Sequence, residues 1–321
     1  MVPHASKTRR ARSPTLARIL LLGAMPLSHP DSRPSAQLGL KEFRTKVLLS
    51  RDNRHLVTLY YSLLPFSAMQ GPPIYLASDV HLGVAPPETE QAFLAWLDHC
   101  GAEASRVIIN GDLFDFWFEY RSVIPRGYTR VLGALSSLVD SGVPVLLMGG
   151  NHDWWGGDFL TTEIGVDFLQ EPTVLDLQGT KTLLAHGDGL GSGDLGYRIL
   201  RFVLRGSLTR FAFRWLHPDV GAWVARRVST TGTHPAGSQE KQEARSQFLE
   251  RWAVDQLTAS PEIDLVILGH THAPCLREVF PGRHYLNAGD WLVNKSYAVL
   301  SAGTAPRLLE WSYGGPLEPE G

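Results

Sequence analysis

Five short segments of the 321-residue chain carry side chains that bind metal ions: SDVHLG (78–83), GDLFD (111–115), GNHD (150–153), HGDG (186–189) and GHTH (269–272). They supply Asp79, His81, Asp112, Asn151, His186, His270 and His272. Carboxylate and amide oxygens suit hard cations, and imidazole suits softer ones. Two Asp, one Asn and four His therefore suit two adjacent divalent ions of borderline character, Mn²⁺ first, with Fe²⁺ or Zn²⁺ as alternatives. No thiolate belongs to the set. Cys100 and Cys275 are the only cysteines and fall in a predicted helix and a predicted strand, which argues against a cysteine-held zinc site and against a disulfide framework.

Taken singly, each segment has a plainer reading: Asp-x-His as a solvated turn, GNHD as a glycine turn with an Asx cap. Their shared position argues otherwise. Apolar runs at residues 73–77, 106–110, 143–148, 181–185 and 263–268 precede the five segments. Each run reads as a buried strand ending at glycine or polar punctuation. Ligands in open α/β sheets gather at the carboxyl ends of strands, so one common mouth is predicted for all seven residues. Five of the nine histidines after Pro73 fall in these segments, a concentration that chance placement does not readily produce.

Helices are predicted at 88–100 and 128–140, and further strands at 275–280, 284–287, 297–301 and 308–311. The order begins βαβαβ and then turns strand-rich, which suits an α+β or α/β architecture of two mixed sheets packed face to face with helices outside.

The ordered motifs D-x-H, GD, GNHD, HGD and GHTH, spread over residues 74–311, resemble those of the calcineurin-like metallophosphoesterases. The resemblance implies a four-layer αββα metallophosphoesterase sandwich with a helical cap insertion at about residues 190–260. It implies one metal held by Asp79, His81, Asp112 and His272, and a second held by Asp112, Asn151, His186 and His270, with Asp112 bridging. Two such ions clamp a phosphoryl group and lower the pKa of a water between them, which is the chemistry of phosphate-ester hydrolysis. His152 is implied to contact the phosphate or protonate the leaving group without ligating. Asp153 is implied to orient a neighbouring histidine, with a turn cap as its alternative.

A finer likeness surrounds the fourth motif. HGDGLGSGDLGYRILR (186–201) resembles the matching stretch of UDP-2,3-diacylglucosamine pyrophosphohydrolases, with Asp194, Tyr197 and Arg201 at the family's offsets. GDLFDFW, GNHDWW, LHPDVG (216–221) and NAGDW (287–291) extend it. The likeness implies cleavage of a lipid-linked nucleotide sugar to 2,3-diacylglucosamine 1-phosphate and UMP in lipid A synthesis. Asn151, His152, Asp194, Tyr197 and Arg201 would touch that substrate. The best-known branch carries Arg where this chain has His152, which leaves the role of His152 open.

Composition between the fourth and fifth motifs points the same way. Residues 196–229 read as two amphipathic helices broken at His217-Pro218, with Arg198, Arg201, Arg205, Arg210, Arg214, Arg226 and Arg227 among bulky apolar residues and Asp219 as the only acid. A basic face opposite an apolar one suits a membrane surface or an acyl-chain slot. An ordinary helical cap with solvated arginines is the plainer reading. Nucleic acid is disfavoured, because no nucleic-acid module is visible and the chain's net charge is −2. Residues 230–243 read as a mobile loop.

Residues 1–73 hold eleven Lys or Arg against three acids, while the rest of the chain holds nineteen against twenty-nine. This basic extension reads as a targeting peptide, as a disordered tail, or as sequence upstream of a start at Met69, the last two being favoured. Residues 74–321 form the expected metallophosphoesterase domain. No run there is long and apolar enough to span a bilayer. The expected location is cytoplasmic, peripheral to the inner face of the membrane. Two alternatives stand beside the lipid substrate: another nucleotide or phospholipid diester, and a non-catalytic scaffold. The sequence is silent on oligomeric state.

Overall fold

The computed structural model describes residues 71–190, 203–228, 238–312 and 315–317. Among these residues, twelve strands form two mixed sheets. The first runs β12-β11-β10-β1-β2-β3-β4, with β1 (Ile74–Ala77), β2 (Arg106–Asn110), β3 (Val145–Met148) and β4 (Asp167–Leu169) parallel. β10 (Ser296–Leu300), β11 (Arg307–Ser312) and β12 (Gly315–Leu317) add antiparallel beyond β1. The second runs β5-β6-β7-β9-β8, built from β5 (Thr173–Leu177), β6 (Thr180–Leu184), β7 (Leu265–Leu268), β8 (Cys275–Phe280) and β9 (Arg283–Asn287). Strands β6, β7 and β9 are parallel neighbours.

The period-two alternation of strands decides the layers. Leu76, Ile108, Leu146 and Met148 of the first sheet meet Leu184, Leu265, Ile267 and Leu286 of the second in one apolar cluster. The alternate residues Tyr75, Ala77, Val107, Ile109, Val145 and Leu147 pack instead with α1 (Pro87–Glu103) and α2 (Thr129–Asp140). Helix α1 presents Phe93, Trp96, Leu97 and Cys100, one stripe at helical spacing, all buried. Val266, Leu268 and Tyr285 face outward from the second sheet and pack with Leu249, Ala253 and Leu257 of a later helix. Helix, sheet, sheet, helix is the expected four-layer αββα sandwich.

Among the described residues, α3 (Ser207–Arg214), α4 (Pro218–Val228) and α5 (Ser238–Ala259) lie between β6 and β7 of the second sheet. The break at His217-Pro218 falls between α3 and α4, where proline lacks the N–H that a continuing helix needs. One expectation is corrected here. Residues 238–243 were expected in a loop, but α5 already begins at Ser238. Gln, Glu, Lys and Ala are good helix formers, and only the Thr, Gly and Pro-rich part before them has loop chemistry. That part, residues 230–237, lies outside the described residues, as do residues 1–70.

Candidate metal centre

All five segments leave the carboxyl ends of strands β1, β2, β3, β6 and β7. Because β1–β3 are parallel to each other and β6 is parallel to β7, segments within each sheet emerge at one end. The seven residues converge. His81 Nε2 lies 3.1 Å from His272 Nε2, and His272 Nε2 lies 3.4 Å from Asp79 Oδ1. His186 Nε2 lies 3.2 Å from Asp112 Oδ2 and 3.3 Å from Asn151 Oδ1. His81 Nε2 is 3.8 Å from Asp112 Oδ2, which joins the two halves. Asp79, His81 and His272 form one group able to hold an ion, and Asp112, His186 and His270 another. A third such group, His81, Asp112 and His152, places His152 beside the same atoms.

The backbone is bent to achieve this. Asp79, His81, Asp112, His270 and His272 all have left-handed φ, between 51° and 70°. Non-glycine residues rarely adopt that region, and each such residue costs about 1–3 kcal/mol. Among the described non-glycine residues only Gln178 and Lys295 share it outside these five. Strain gathered on five proposed ligands marks a site held against local preference. Glycines make room: a Cβ on Gly111, itself at φ +86°, would stand 2.3 Å from His186 Nδ1, and one on Gly150 would stand 2.2 Å from Asp112 Oδ1.

Hydrogen bonds knit the loops. Both Asp79 carboxylate oxygens accept the backbone N–H of His270, at 3.1 and 3.0 Å. Asp112 Oδ1 accepts the backbone N–H of His152 at 2.9 Å. His186 Nδ1–H donates to the Asn110 carbonyl at 2.8 Å, which points Nε2 at the cluster. Asp153 is fully buried beneath both loops. Its carboxylate accepts backbone N–H groups from Asp112 at 3.3 Å, Leu113 at 2.7 Å, Phe114 at 3.4 Å and Gly150 at 2.8 Å. These bonds cap two turns, the alternative role for Asp153.

The electrostatics fit divalent cations. Asp79 and Asp112 are buried carboxylates, and among the described residues no Lys or Arg pairs with either. Burial pushes Asp79 up. Burial works the same way on Asp112, but His186 and His152 outweigh it and hold that carboxyl well below its usual range. Burial lowers His81 to about 3 and His270 to about 4, so both imidazoles are neutral and offer lone pairs. His81 Nδ1 is buried without a hydrogen-bond partner. Burial would lower His186 too, but Asp112 outweighs it and raises His186 well above 6.5. A cation would take the place of that proton.

His152 is part-buried. Its Nδ1–H donates to the Asp115 carbonyl at 2.6 Å and its Nε2 is 4.0 Å from Asp112 Oδ2. Asp194, Tyr197 and Arg201 lie outside the described residues. Several contributors went unread in the sequence. Asp290 approaches His272 Nδ1 at 3.8 Å, while its Oδ1 accepts the N–H groups of Val293 and Asn294. Glu119 accepts the backbone N–H groups of Gly157 and Phe159, at 2.9 and 3.0 Å, pinning the chain that follows GNHD. The only signals were the place of Asp290 within NAGDW and that of Glu119 two residues after GDLFDFW.

An Asp, Asn and His cluster at the strand ends of an αββα sandwich is the arrangement of a metal-dependent phosphoesterase. The family model for calcineurin-like phosphoesterases matches residues 72–274, a span that contains all seven residues, and the chain belongs to that family. A UDP-2,3-diacylglucosamine hydrolase of Porphyromonas gingivalis is 34% identical over 248 residues, covering 72% of this chain and 95% of that protein. One of Pseudomonas fluorescens is 31% identical over 232 residues, covering 68% of this chain and 87% of that protein. Among solved structures, vacuolar protein sorting 29 from Cryptosporidium parvum aligns with TM-score 0.40 at 15% identity, over 78% of this chain and 96% of that one.

Proposed function

We propose that this chain, a metal-dependent hydrolase, cleaves the pyrophosphate bond of UDP-2,3-diacylglucosamine to give 2,3-diacylglucosamine 1-phosphate and UMP in lipid A synthesis. The observation that carries the chemistry is the convergence of seven ligand-type residues from five strand ends, five of them in left-handed backbone. Asp79, His81, Asp112 and His272 would hold one ion. Asp112, Asn151, His186 and His270 would hold the second. Mn²⁺ suits the donor set, with Fe²⁺ and Zn²⁺ as alternatives. The substrate reading is supported by relatives named UDP-2,3-diacylglucosamine hydrolase, matched over 87–95% of their length.

Bound ions would supply Lewis-acid polarisation of the phosphoryl oxygens and a water acidic enough to attack phosphorus. The chain's own residues prepare the rest. The Asn110 carbonyl fixes the His186 ring, and Asp153 holds the turns that bear Asp112 and Asn151. Burial would lower the His152 pKa, but Asp112 and the Asp115 carbonyl outweigh it and raise it. With Nδ1 anchored, its Nε2 is the nitrogen able to bond the phosphate or to pass a proton to the departing phosphate oxygen. Asn151, Asp194, Tyr197 and Arg201 complete the proposed substrate contacts.

Helices α3 and α4 support a lipid-facing role. Leu208, Phe211 and Trp215 follow one another at helical spacing and are 78, 59 and 77% exposed, with Arg210 and Arg214 between them. Such a face suits peripheral attachment to the inner surface of the cytoplasmic membrane. No helix among the described residues is long and apolar enough to cross a membrane. Residues 1–73 would lie outside the catalytic domain, which spans 74–321 with its insertion at about 190–260.

The test is direct. Purified protein, synthetic UDP-2,3-diacylglucosamine and Mn²⁺ are expected to release UMP, and EDTA to abolish the release. Turnover of other diesters without UMP release would reject the lipid-nucleotide substrate.

A further inference from the structure

Among the described residues, three hydrogen-bonded contacts join the helical insertion to the metal-bearing loops, beside the packing of Phe213 on Trp155 and of Arg210 over Trp154. Arg205, just before α3, donates to Asp188 Oδ2 at 2.8 Å, and its guanidinium carbon lies 4.6 Å from the centre of the Trp154 ring. Trp155 Nε1–H donates to the Leu204 carbonyl at 3.1 Å. Gln242 of α5 donates to the Thr271 carbonyl at 2.9 Å. Asp188 is two residues after His186, Trp154 is three after Asn151, and Thr271 stands between His270 and His272. Two of these tethers meet on residues 204 and 205.

The Arg205 contact is the strongest of the three on physical grounds. Asp188 is buried and the Arg205 side chain is only 14% exposed, so the pair is little screened by water. A guanidinium bonded to a carboxylate while lying on an indole face adds cation–π attraction to the ion pair. Lysine can supply the charge but neither the planar fork nor the stacking.

We propose that Arg205 is a positioning residue that couples the helical insertion to the metal centre. It grips Asp188 and Trp154 at once, so ions seated on His186 and Asn151 fix the two surfaces that hold residues 203–214. By linkage, steadying that segment also favours the ions. The inference rests on the proposed ligand set and goes beyond it, because it assigns to a residue outside the centre the task of carrying metal occupancy into the part of the chain read as lipid-facing.

Amide hydrogen exchange on the full chain, with and without Mn²⁺, tests this without reference to activity. In the wild type, Mn²⁺ is expected to slow exchange both in residues 150–155 and in α3, by about tenfold in α3. In Arg205→Ala, residues 150–155 keep their protection and α3 loses it. Arg205→Lys is intermediate. Asp188→Asn, which leaves the guanidinium its seat on Trp154, loses part of the effect and serves if the alanine variant does not fold. Equal Mn²⁺ protection of α3 in the wild type and in Arg205→Ala would overturn the coupling alone. Absence of Mn²⁺ protection at 150–155 in the wild type would overturn the ligand set, and the coupling with it.

Discussion

The carboxylate of Asp153 accepts the backbone N–H of Leu113 at 2.7 Å, tying the loop after β3 to the loop after β2. The same carboxylate takes the N–H groups of Asp112, Phe114 and Gly150. One buried side chain thus sets the relative position of Asp112 and Asn151. Asp153→Ala would leave these amides without their acceptor, at a cost of roughly 2–4 kcal/mol for several charge-assisted bonds. Asp153→Asn keeps one accepting oxygen but sets an NH2 donor against the other pair of amides, so it is expected to retain only part of this stabilisation. Differential scanning fluorimetry, read beside metal content at limiting Mn²⁺, checks both. Both melting temperature and bound metal should fall in the order wild type, Asn, Ala. A purely histidine-orienting role would lower metal content with little change in melting temperature.

Gly150 gives a steric prediction. An added Cβ would meet the Asp112 carboxylate at 2.2 Å and the Asp112 backbone nitrogen at 2.6 Å, and backbone cannot swing away. Gly150→Ala is expected to destabilise by about 1–3 kcal/mol, as overpacking does, and to lower Mn²⁺ affinity by at least tenfold. Gly133, inside α2 with nothing within 4 Å of its added Cβ, is the control. Gly133→Ala should stabilise by about 0.5–1 kcal/mol, because alanine is the better helix former. Urea denaturation distinguishes the two.

Much of this centre was legible in the sequence, and the parts that were not have physical reasons. Strands β1, β2, β3 and β7 are buried along most of their length, so they read as continuous apolar runs with clear ends. Strands β4 and β5 are part-exposed and lack that signal. The ligand residues were legible by type. Their left-handed backbone was not, since nothing local in Asp79 or His270 demands it and only the converging loops impose it. Asp153 was seen but its partners were not, because backbone amides leave no mark in a sequence. Asp290 lies far along the chain from His272, beside it only once β7 and β9 pair across the second sheet.

The exposed face of α3 separates attachment from chemistry. Replacing Leu208, Phe211 and Trp215 by serine removes apolar side chains that are 78, 59 and 77% exposed, so melting temperature should stay within about 1–2 °C. Co-sedimentation with vesicles containing anionic lipid is expected to fall at least fivefold, while hydrolysis of a small soluble phosphodiester stays within twofold. Unchanged vesicle binding would reject α3 as the lipid-facing surface.

Asp112 joins the two halves of the proposed centre, with its Oδ2 3.2 Å from His186 Nε2 and 3.8 Å from His81 Nε2. Counting Mn²⁺ ions per chain by mass spectrometry of metals, in the wild type and in Asp112→Ala, tests the central claim most directly. The wild type should bind two ions and Asp112→Ala no more than one, with phosphodiesterase turnover lost. Two ions retained in Asp112→Ala, or none bound by the wild type, would contradict a two-metal centre built on this residue.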